Sequence, residues 1–302
     1  MAKATHRLKL AAQSLLLLFA VGSVAPVQSA GSSADIRTVW NRPAEPFEVI
    51  DGIYYVGTEE LAAWLIPSEQ GAVLIDGALE ESAPLIEANI RRLGFKVEDV
   101  RFLLNSHAHF DHSGGLAQLK RDSGAQFIAS RGDQVALETG RYVGFESVAD
   151  LNFPPIKVDR LIADGEALML GSVRLTAHFT PGHTAGCTTW TMPVWSRGQR
   201  LDVVFYCSTS VALNRLLPNA QYPGIIDDYR GSFTRLATLH ADVFLANHKD
   251  FFRLWEKRAA MRPEGPNPFI DAGELGRFVE ASRAEFEKDL ADQQSSIETA
   301  TP

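Results

Sequence analysis

The sequence has little cysteine, little positive charge and no long hydrophobic run. Its two cysteines, Cys187 and Cys207, are too few for a disulfide framework or a four-cysteine zinc site. The formal net charge of −8 leaves no basic surface for nucleic acid, so we expect no such partner. The apolar run Leu15–Ala25 is too short to span a bilayer comfortably. What remains, 45% apolar and 22% charged residues, is typical of a globular protein.

Residues 1–30 have the three parts of an export signal. Lys3, Arg7 and Lys9 form a basic start, the apolar run follows, and small residues in "VQSAG" supply a cleavage region. We expect a signal peptide that is removed, a periplasmic or secreted protein, and no membrane association afterwards; an uncleaved anchor is the alternative. An oxidising compartment would permit a bond between the two cysteines. Because they lie in separate strand-like runs, we expect two buried free thiols instead.

From Phe47 onward, short β-rich runs alternate with helical patterns in two comparable series. This organisation predicts an α/β protein with sheets packed together and covered by helices, in a single domain over residues 31–290. A helix is expected from about Gly231 to Leu239, and a last helix beyond Asp271 runs into a polar tail. We expect residues 291–302 of that tail to be disordered. The predicted strands are "FEVIDGIYYVG", "AVLIDG", "VRFLLNS", "QFIAS", "SVRLTAHFTPGH", "GCTTWTMPVW", "LDVVFYCSTS" and "DVFLANH".

The segment from Gly140 to Asp159 lacks periodicity and is long for a connection. Such loops are often functional. Phe145 and Phe153 within it are candidates to cover a cleft, or else to pin the loop to the body of the protein.

Three of the eight histidines lie within six positions, in "NSHAHFDHSGG". A predicted strand ends just before His107, so the cluster lies on a strand-to-helix loop. His107 and His109 share a face if the backbone is extended, and Asp111 and His112 follow after a bend that the next two glycines allow. Ordinary hydrogen bonding is the alternative for any single histidine, and it is our interpretation of two histidines outside the cluster, His178 and His240.

Two further histidines occupy similar strand-end positions, His183 in "TPGHTAGC" and His248 in "LANHKD". Imidazole nitrogen and carboxylate oxygen suit zinc, and a catalytic zinc has three protein ligands beside a water. The pattern predicts two zinc ions that activate a hydroxide. One ion would be held by His107, His109 and His183, and the other by Asp111, His112 and His248.

The pattern His-x-His-x-Asp-His, the "PGHTAG" motif and the third strand-end histidine resemble the metallo-β-lactamase superfamily, from about Phe47 to the end of the chain. The resemblance implies an αββα sandwich with two mixed sheets flanked by helices. Thioesterases and lactonases of this superfamily carry a bridging aspartate at the end of the strand that here reads "LDVVFYCSTS". The sequence has no carboxylate at that end, as in true β-lactamases. His112, the histidine after the aspartate, is similar to the ligand found in subclass B3, and so are the stretches "ALNRL", "DDYR" and "GPNPFI". Another subclass has a cysteine ligand and no histidine at this position.

The resemblance implies a di-zinc enzyme that opens the β-lactam ring of penicillins, cephalosporins or carbapenems by metal-bound hydroxide and so confers antibiotic resistance. Asp111 would also orient the hydroxide, and Ser208, Thr209 or Ser210 would contact the substrate carboxylate. A lactone or thioester hydrolase and a non-catalytic zinc-binding periplasmic protein are the alternatives. A serine nucleophile is disfavoured, because neither Ser-x-x-Lys nor Gly-x-Ser-x-Gly occurs. We expect a monomer, although the sequence leaves the oligomeric state open.

Overall fold

The computed structural model describes residues 33–218 and 220–300. The expected signal peptide, residues 1–30, lies outside them. Within the described ranges no helix is long and apolar enough to cross a bilayer. The strands are β1 (Phe47–Ile50), β2 (Ile53–Tyr55), β3 (Trp64–Ser68), β4 (Gly71–Ile75), β5 (Val100–Leu104), β6 (Gln126–Ser130), β7 (Arg160–Ile162), β8 (Ala167–Leu170), β9 (Val173–Phe179), β10 (Thr188–Ser196), β11 (Gln199–Tyr206) and β12 (Val243–Ala246). The α-helices are α1 (Ser33–Trp40), α2 (Ala83–Arg92), α3 (Phe110–Ser113), α4 (Leu116–Ser123), α5 (Gln134–Thr139), α6 (Ile225–Leu236), α7 (Leu254–Ala260) and α8 (Glu274–Ala300).

Both sheets are mixed. The first has the order β1-β2-β3-β4-β5-β6-β7, with antiparallel pairing from β1 to β4 and parallel pairing from β4 to β7. The second has the order β12-β11-β10-β9-β8, in which only the β11–β12 pair is parallel among the described strands. Parallel strands need crossover connections, and the chain supplies α2 between β4 and β5 and α4 between β5 and β6.

The core lies between the two sheets and beneath the helices. Trp64 of β3 meets Phe205 of β11 with ring centroids 5.9 Å apart, which joins the sheets face to face. On the outer side of the first sheet, α2 and α4 contribute buried Ile86 and Leu116 to a second apolar cluster. On the second sheet, Phe278 of α8 packs edge-on to a tyrosine of β11. The arrangement is the αββα sandwich expected from the resemblance.

Two elements differ from the sequence-based expectations. Helix α6 begins at Ile225 rather than near Gly231 and ends at Leu236. The polar tail is helical up to Ala300, so the expectation of disorder over residues 291–302 is wrong for the part that the structure describes. Gln293 explains the order: its side-chain carbonyl accepts the backbone N–H groups of Leu216 and Leu217 at 2.8 and 3.1 Å.

The two cysteines form a disulfide bond, with Cα atoms 5.9 Å apart. The expectation of two free thiols is therefore wrong. The reason is the sheet register: β10 and β11 are antiparallel neighbours, with Trp190 opposite Phe205. Continuing that ladder brings the residue before β10, Cys187, close to the residue after β11, Cys207.

Candidate metal centre

The six candidate ligands come together where strands of both sheets end. His107 follows β5, His183 lies between β9 and β10, and His248 follows β12. His109 immediately precedes α3, which carries Asp111 and His112. The close packing of this segment requires glycine, because a Cβ atom on Gly114 would lie 2.5 Å from the backbone nitrogen of Glu80. The two glycines, expected from the sequence to allow a bend, have ordinary helical backbone angles, so the structure needs them for close packing.

The first group of ligands is compact. His107, His109 and His183 are buried and offer ligand atoms that all lie within 4.8 Å of one another. The Nε2 atoms of His183 and His107 are 3.1 Å apart. Three imidazole nitrogens therefore converge on one point.

The second group adjoins the first. Asp111 Oδ2 lies 3.3 Å from His112 Nε2 and 3.5 Å from His248 Nε2, and these two nitrogens are 3.1 Å apart. The His107 and His112 ring centroids are 4.4 Å apart, so the two groups are in direct contact. The structure thus brings together both predicted triads.

A hydrogen bond on the far side of the ring sets the tautomer of His183, and a second holds the ring of His107. His183 Nδ1 lies 2.7 Å from the carbonyl oxygen of Ser210, which can only accept, so Nδ1 carries the proton and Nε2 presents a lone pair. His107 Nδ1 lies 3.0 Å from the Ser106 hydroxyl. A neutral imidazole whose outer nitrogen is held in this way is oriented to bind a metal. Nitrogen and carboxylate donors in two groups of three fit zinc.

The electrostatics differ between the two groups, and those of the first group favour the neutral, metal-binding form of its histidines. Burial lowers the pKa of His107 and of His109 well below the usual imidazole value, and it lowers the pKa of His183 to about 4. Burial also lowers the pKa of His112, but Asp111 and Asp76 more than offset this effect, so that this pKa is raised. Burial alone would raise the pKa of Asp111, yet His112 and His248 hold it well below its usual range.

Two buried carboxylates lie behind the ligands, and the sequence analysis missed both. Asp76 follows β4; its Oδ1 accepts the backbone N–H of Ser106 at 2.6 Å, and its Oδ2 lies 4.0 Å from His112 Nδ1. Asp133 follows β6 and accepts the backbone N–H of Ala108 at 2.9 Å. Burial raises the pKa of each to about 6. Their signal in the sequence was the strand-end position that also marked His107.

The three candidate substrate contacts differ in direction. Thr209 is buried, and its hydroxyl lies 2.5 Å from the Tyr206 hydroxyl. Ser210 is partly exposed, and its hydroxyl lies 3.3 Å from His183 Nδ1. The Ser208 hydroxyl is 3.2 Å from that of Ser210. Ser210 therefore adjoins the outer nitrogen of one candidate ligand directly, and Ser208 adjoins it only through Ser210.

The loop from Gly140 to Asp159 reaches the site through a residue that the sequence analysis did not single out. Tyr142 stacks on His109 with ring centroids 4.1 Å apart and planes 8° from parallel. Phe145 meets Tyr142 edge-on at 5.7 Å and carries the Arg215 guanidinium over its face. Phe153 is buried in the apolar cluster beneath the first sheet. Phe153 thus pins the loop, while Tyr142 covers one face of the metal centre.

The two histidines assigned to ordinary roles lie outside this centre. His178 pairs with the Thr191 hydroxyl at 2.9 Å. His240 is exposed and lies 3.2 Å from an Asp242 carboxylate oxygen.

Several known proteins resemble the chain. The family model of the metallo-β-lactamase superfamily matches residues 60–194. The subclass B3 metallo-β-lactamase BJP-1 of Bradyrhizobium japonicum is 44% identical, with a TM-score of 0.85 over 86% of this chain and 99% of that one. The metallo-β-lactamase FEZ-1 of Legionella gormanii is 36% identical, with a TM-score of 0.81 over 84% of this chain and 98% of that one.

Curated relatives match a shorter region. A probable metallo-hydrolase of Burkholderia pseudomallei is 29% identical over 153 residues, which are 47% of this chain and 50% of the relative. An N-acyl homoserine lactonase of Bacillus cereus is 26% identical over 147 residues, 41% of this chain and 54% of the relative. The chain thus spans about half the length of these relatives. The solved subclass B3 structure is matched over nearly its full length, and the chain therefore belongs to subclass B3 of the metallo-β-lactamase superfamily, a group of hydrolases.

Proposed function

We propose that the protein is a di-zinc β-lactamase that hydrolyses penicillins, cephalosporins or carbapenems and confers resistance to them. The observation that carries the proposal is the pair of adjoining triads, His107, His109 and His183 beside Asp111, His112 and His248. Where lactonases of the superfamily would place a bridging carboxylate, the residue after β11 is Cys207, which is held in a disulfide. The next residue is Ser208. This site composition favours a β-lactamase over a lactonase.

Zinc at these triads would acidify a water and polarise the lactam carbonyl. The side chains of the protein prepare for that chemistry. Asp111 has a pKa well below its usual range, because its two histidine neighbours outweigh the effect of burial. It therefore stays ionised and can accept a hydrogen bond from the attacking water, which fixes the direction of attack. The carbonyl oxygen of Ser210 keeps the proton of His183 on Nδ1, on the side away from the metal centre.

The substrate would be bound by the positive charge of the metal ions and by the hydroxyls of Ser208 and Ser210. The positive charge of bound metal ions exceeds the single negative charge of Asp111, so the centre would attract an anion even in an acidic protein. Ser208 and Ser210 would donate hydrogen bonds to the carboxylate that β-lactams carry. Tyr142 would exclude water from the His109 side of the centre, because its ring stacks on that imidazole.

We also propose export to the periplasm or the medium. The basic and apolar start of the chain has the character of a signal peptide. The Cys187–Cys207 bond is consistent with that location, because disulfides persist in oxidising compartments.

The deciding experiment measures hydrolysis by the purified mature chain of a penicillin, a cephalosporin, a carbapenem and an N-acyl homoserine lactone. We expect the β-lactams to be the better substrates, with activity lost on chelation and restored by zinc. His183→Ala should remove activity, whereas His240→Ala, which changes a histidine outside both triads, should retain it. Activity that survived complete removal of metal would contradict the metal mechanism. A preference for the lactone would favour the activity named in the Bacillus relative.

A further inference from the structure

Asp133 occupies the N-cap position of α5, but its side chain makes no capping hydrogen bond to that helix. Aspartate at an N-cap normally accepts a backbone N–H of the first helical turn. Here the carboxylate is turned away from its own helix and is buried at 2% exposure. The capping interaction is given up for contacts elsewhere.

Those contacts join the two loops that carry the first metal triad. Asp133 Oδ2 accepts the backbone N–H of Ala108 at 2.9 Å and the Thr184 hydroxyl at 3.0 Å. Its Oδ1 accepts the backbone N–H of Gly186 at 2.8 Å. Ala108 lies between His107 and His109 in the chain, and Thr184 follows His183. One carboxylate therefore ties the backbone between His107 and His109 to the loop that carries His183.

The backbone around this carboxylate is tightly packed. A Cβ atom on Gly132 would lie 2.3 Å from the carbonyl oxygen of Ala185, and one on Gly186 would lie 2.3 Å from the backbone nitrogen of Asp133. The turn after β6 and the His183 loop are therefore in direct backbone contact. Hydrogen bonds to a charged acceptor are stronger than neutral ones, and both backbone donors would be buried without a partner if the carboxylate were lost.

We propose that Asp133 is a positioning residue that sets the spacing between the His107–His109 segment and the His183 loop, and so sets the affinity of the first metal site. The inference rests on the proposed metal centre. The effect of Asp133 should be confined to the first site. Its three hydrogen bonds go to Ala108, Thr184 and Gly186. None of these residues belongs to α3 or to the segment after β12, which carry the second group, so the affinity of the second site should depend on Asp133 much less.

The test compares zinc affinities of Asp133→Asn and wild type by competition with a chromophoric chelator. An amide offers one acceptor oxygen where three donors converge, so at least one hydrogen bond is replaced by a contact between donors. Single-ligand variants His183→Ala and His248→Ala identify which dissociation constant belongs to which triad. We expect Asp133→Asn to weaken the first site at least tenfold, in line with the effect of residues that orient metal ligands, and the second site less than threefold. Visible bands of the cobalt(II)-substituted first site should shift as well.

Asp159→Asn is the matched control. Asp159 also holds β6 through a carboxylate, which accepts the backbone N–H of Phe127 at 2.9 Å, but it lies outside the metal centre. It should leave both constants unchanged. Thr184→Val is a milder variant, because it removes one hydroxyl donor and keeps the Asp133 carboxylate. We expect it to weaken zinc binding at the first site about threefold. It also provides a folded variant for the test if Asp133→Asn does not fold.

Three outcomes would overturn the inference: two unchanged constants, equal weakening of both sites, or weakening of the second site alone. The readout is metal binding, so it is separate from the proposed activity. A wild-type protein that binds two zinc ions but leaves β-lactams intact would refute the proposed function and leave the role of Asp133 standing.

Discussion

Reduction of the Cys187–Cys207 bond should lower the free energy of unfolding of the metal-free protein by about 3 kcal/mol. The bonded residues are 20 apart in sequence. Closing a loop of that size restricts the unfolded chain by about 3 kcal/mol in the chain-entropy treatment. Both cysteines are fully buried, so reduction has to be carried out on unfolded protein before refolding. The change in stability then reports the covalent link rather than a change of side chain.

The measurement is urea unfolding followed by tryptophan fluorescence. Chelator must be present throughout, because a metal that binds only the folded state adds its own stabilisation. The variant Cys187→Ala/Cys207→Ala serves as a second comparison. Its free energy of unfolding should fall by the same amount, about 3 kcal/mol. A further decrease of about 1 kcal/mol or more is expected from the buried sulfur atoms removed from the core.

Two results would refute this reasoning. The first is a difference below about 1 kcal/mol between oxidised and reduced protein, which would mean that the bond contributes little loop-closure entropy. The second is titration of two free thiols in oxidised protein after unfolding, which would mean that the cysteines are not bonded.

Three further predictions follow from the site and its loop. His112→Ala should release one zinc far more readily than the other, as measured by metal content after dialysis, and equal retention would remove His112 from the ligand set. Phe153→Ala should lower the free energy of unfolding by about 3–5 kcal/mol, as for other buried phenylalanines, and leave KM unchanged, while Tyr142→Ala, which removes an equally buried ring, should lower stability and also raise KM; a KM that rose only for Phe153→Ala would reverse the roles assigned to these two rings. On acidification, the zinc at the second site should be lost first, because protons compete for the raised-pKa imidazole of His112 before they compete for His183, whose pKa is about 4. Metal analysis at decreasing pH checks the order.

The local part of the site could be predicted from the sequence, since alternation along an extended segment places His107 and His109 together, and the following turn presents the next two ligands. The distant candidate ligands could also be predicted, because His183 and His248 each follow a strand run and strand ends of a layered α/β fold meet at one edge. In the structure these six side chains do converge. The helix after Gly224 was placed too late because its first turn, "IIDD", has no capping signal in sequence and its N-cap glycine is left-handed with φ 85°.

The features that sequence analysis missed depend on which elements become neighbours. The disulfide requires β10 and β11 to pair in one particular register, and two separated strand runs do not specify it. Tyr142 was missed because its role is set by the ring of His109 against which it stacks. The tail is ordered because Gln293 meets the backbone at Leu216 and Leu217, although its composition is polar throughout.

The strand-end rule that located the histidines extends to the acids behind them. Asp76, His107 and Asp133 follow β4, β5 and β6, three adjacent parallel strands. Burial raises the pKa of both acids to about 6, so at neutral pH each holds its charge against the preference of its surroundings. Proteins retain such destabilising buried charges at functional sites, where the charge holds other residues in the position that function requires. Metal cations bound in front of the two carboxylates would favour their ionised forms. The same cations would therefore stabilise the residues that hold their ligands in place, and folding and metal binding should be coupled in this protein.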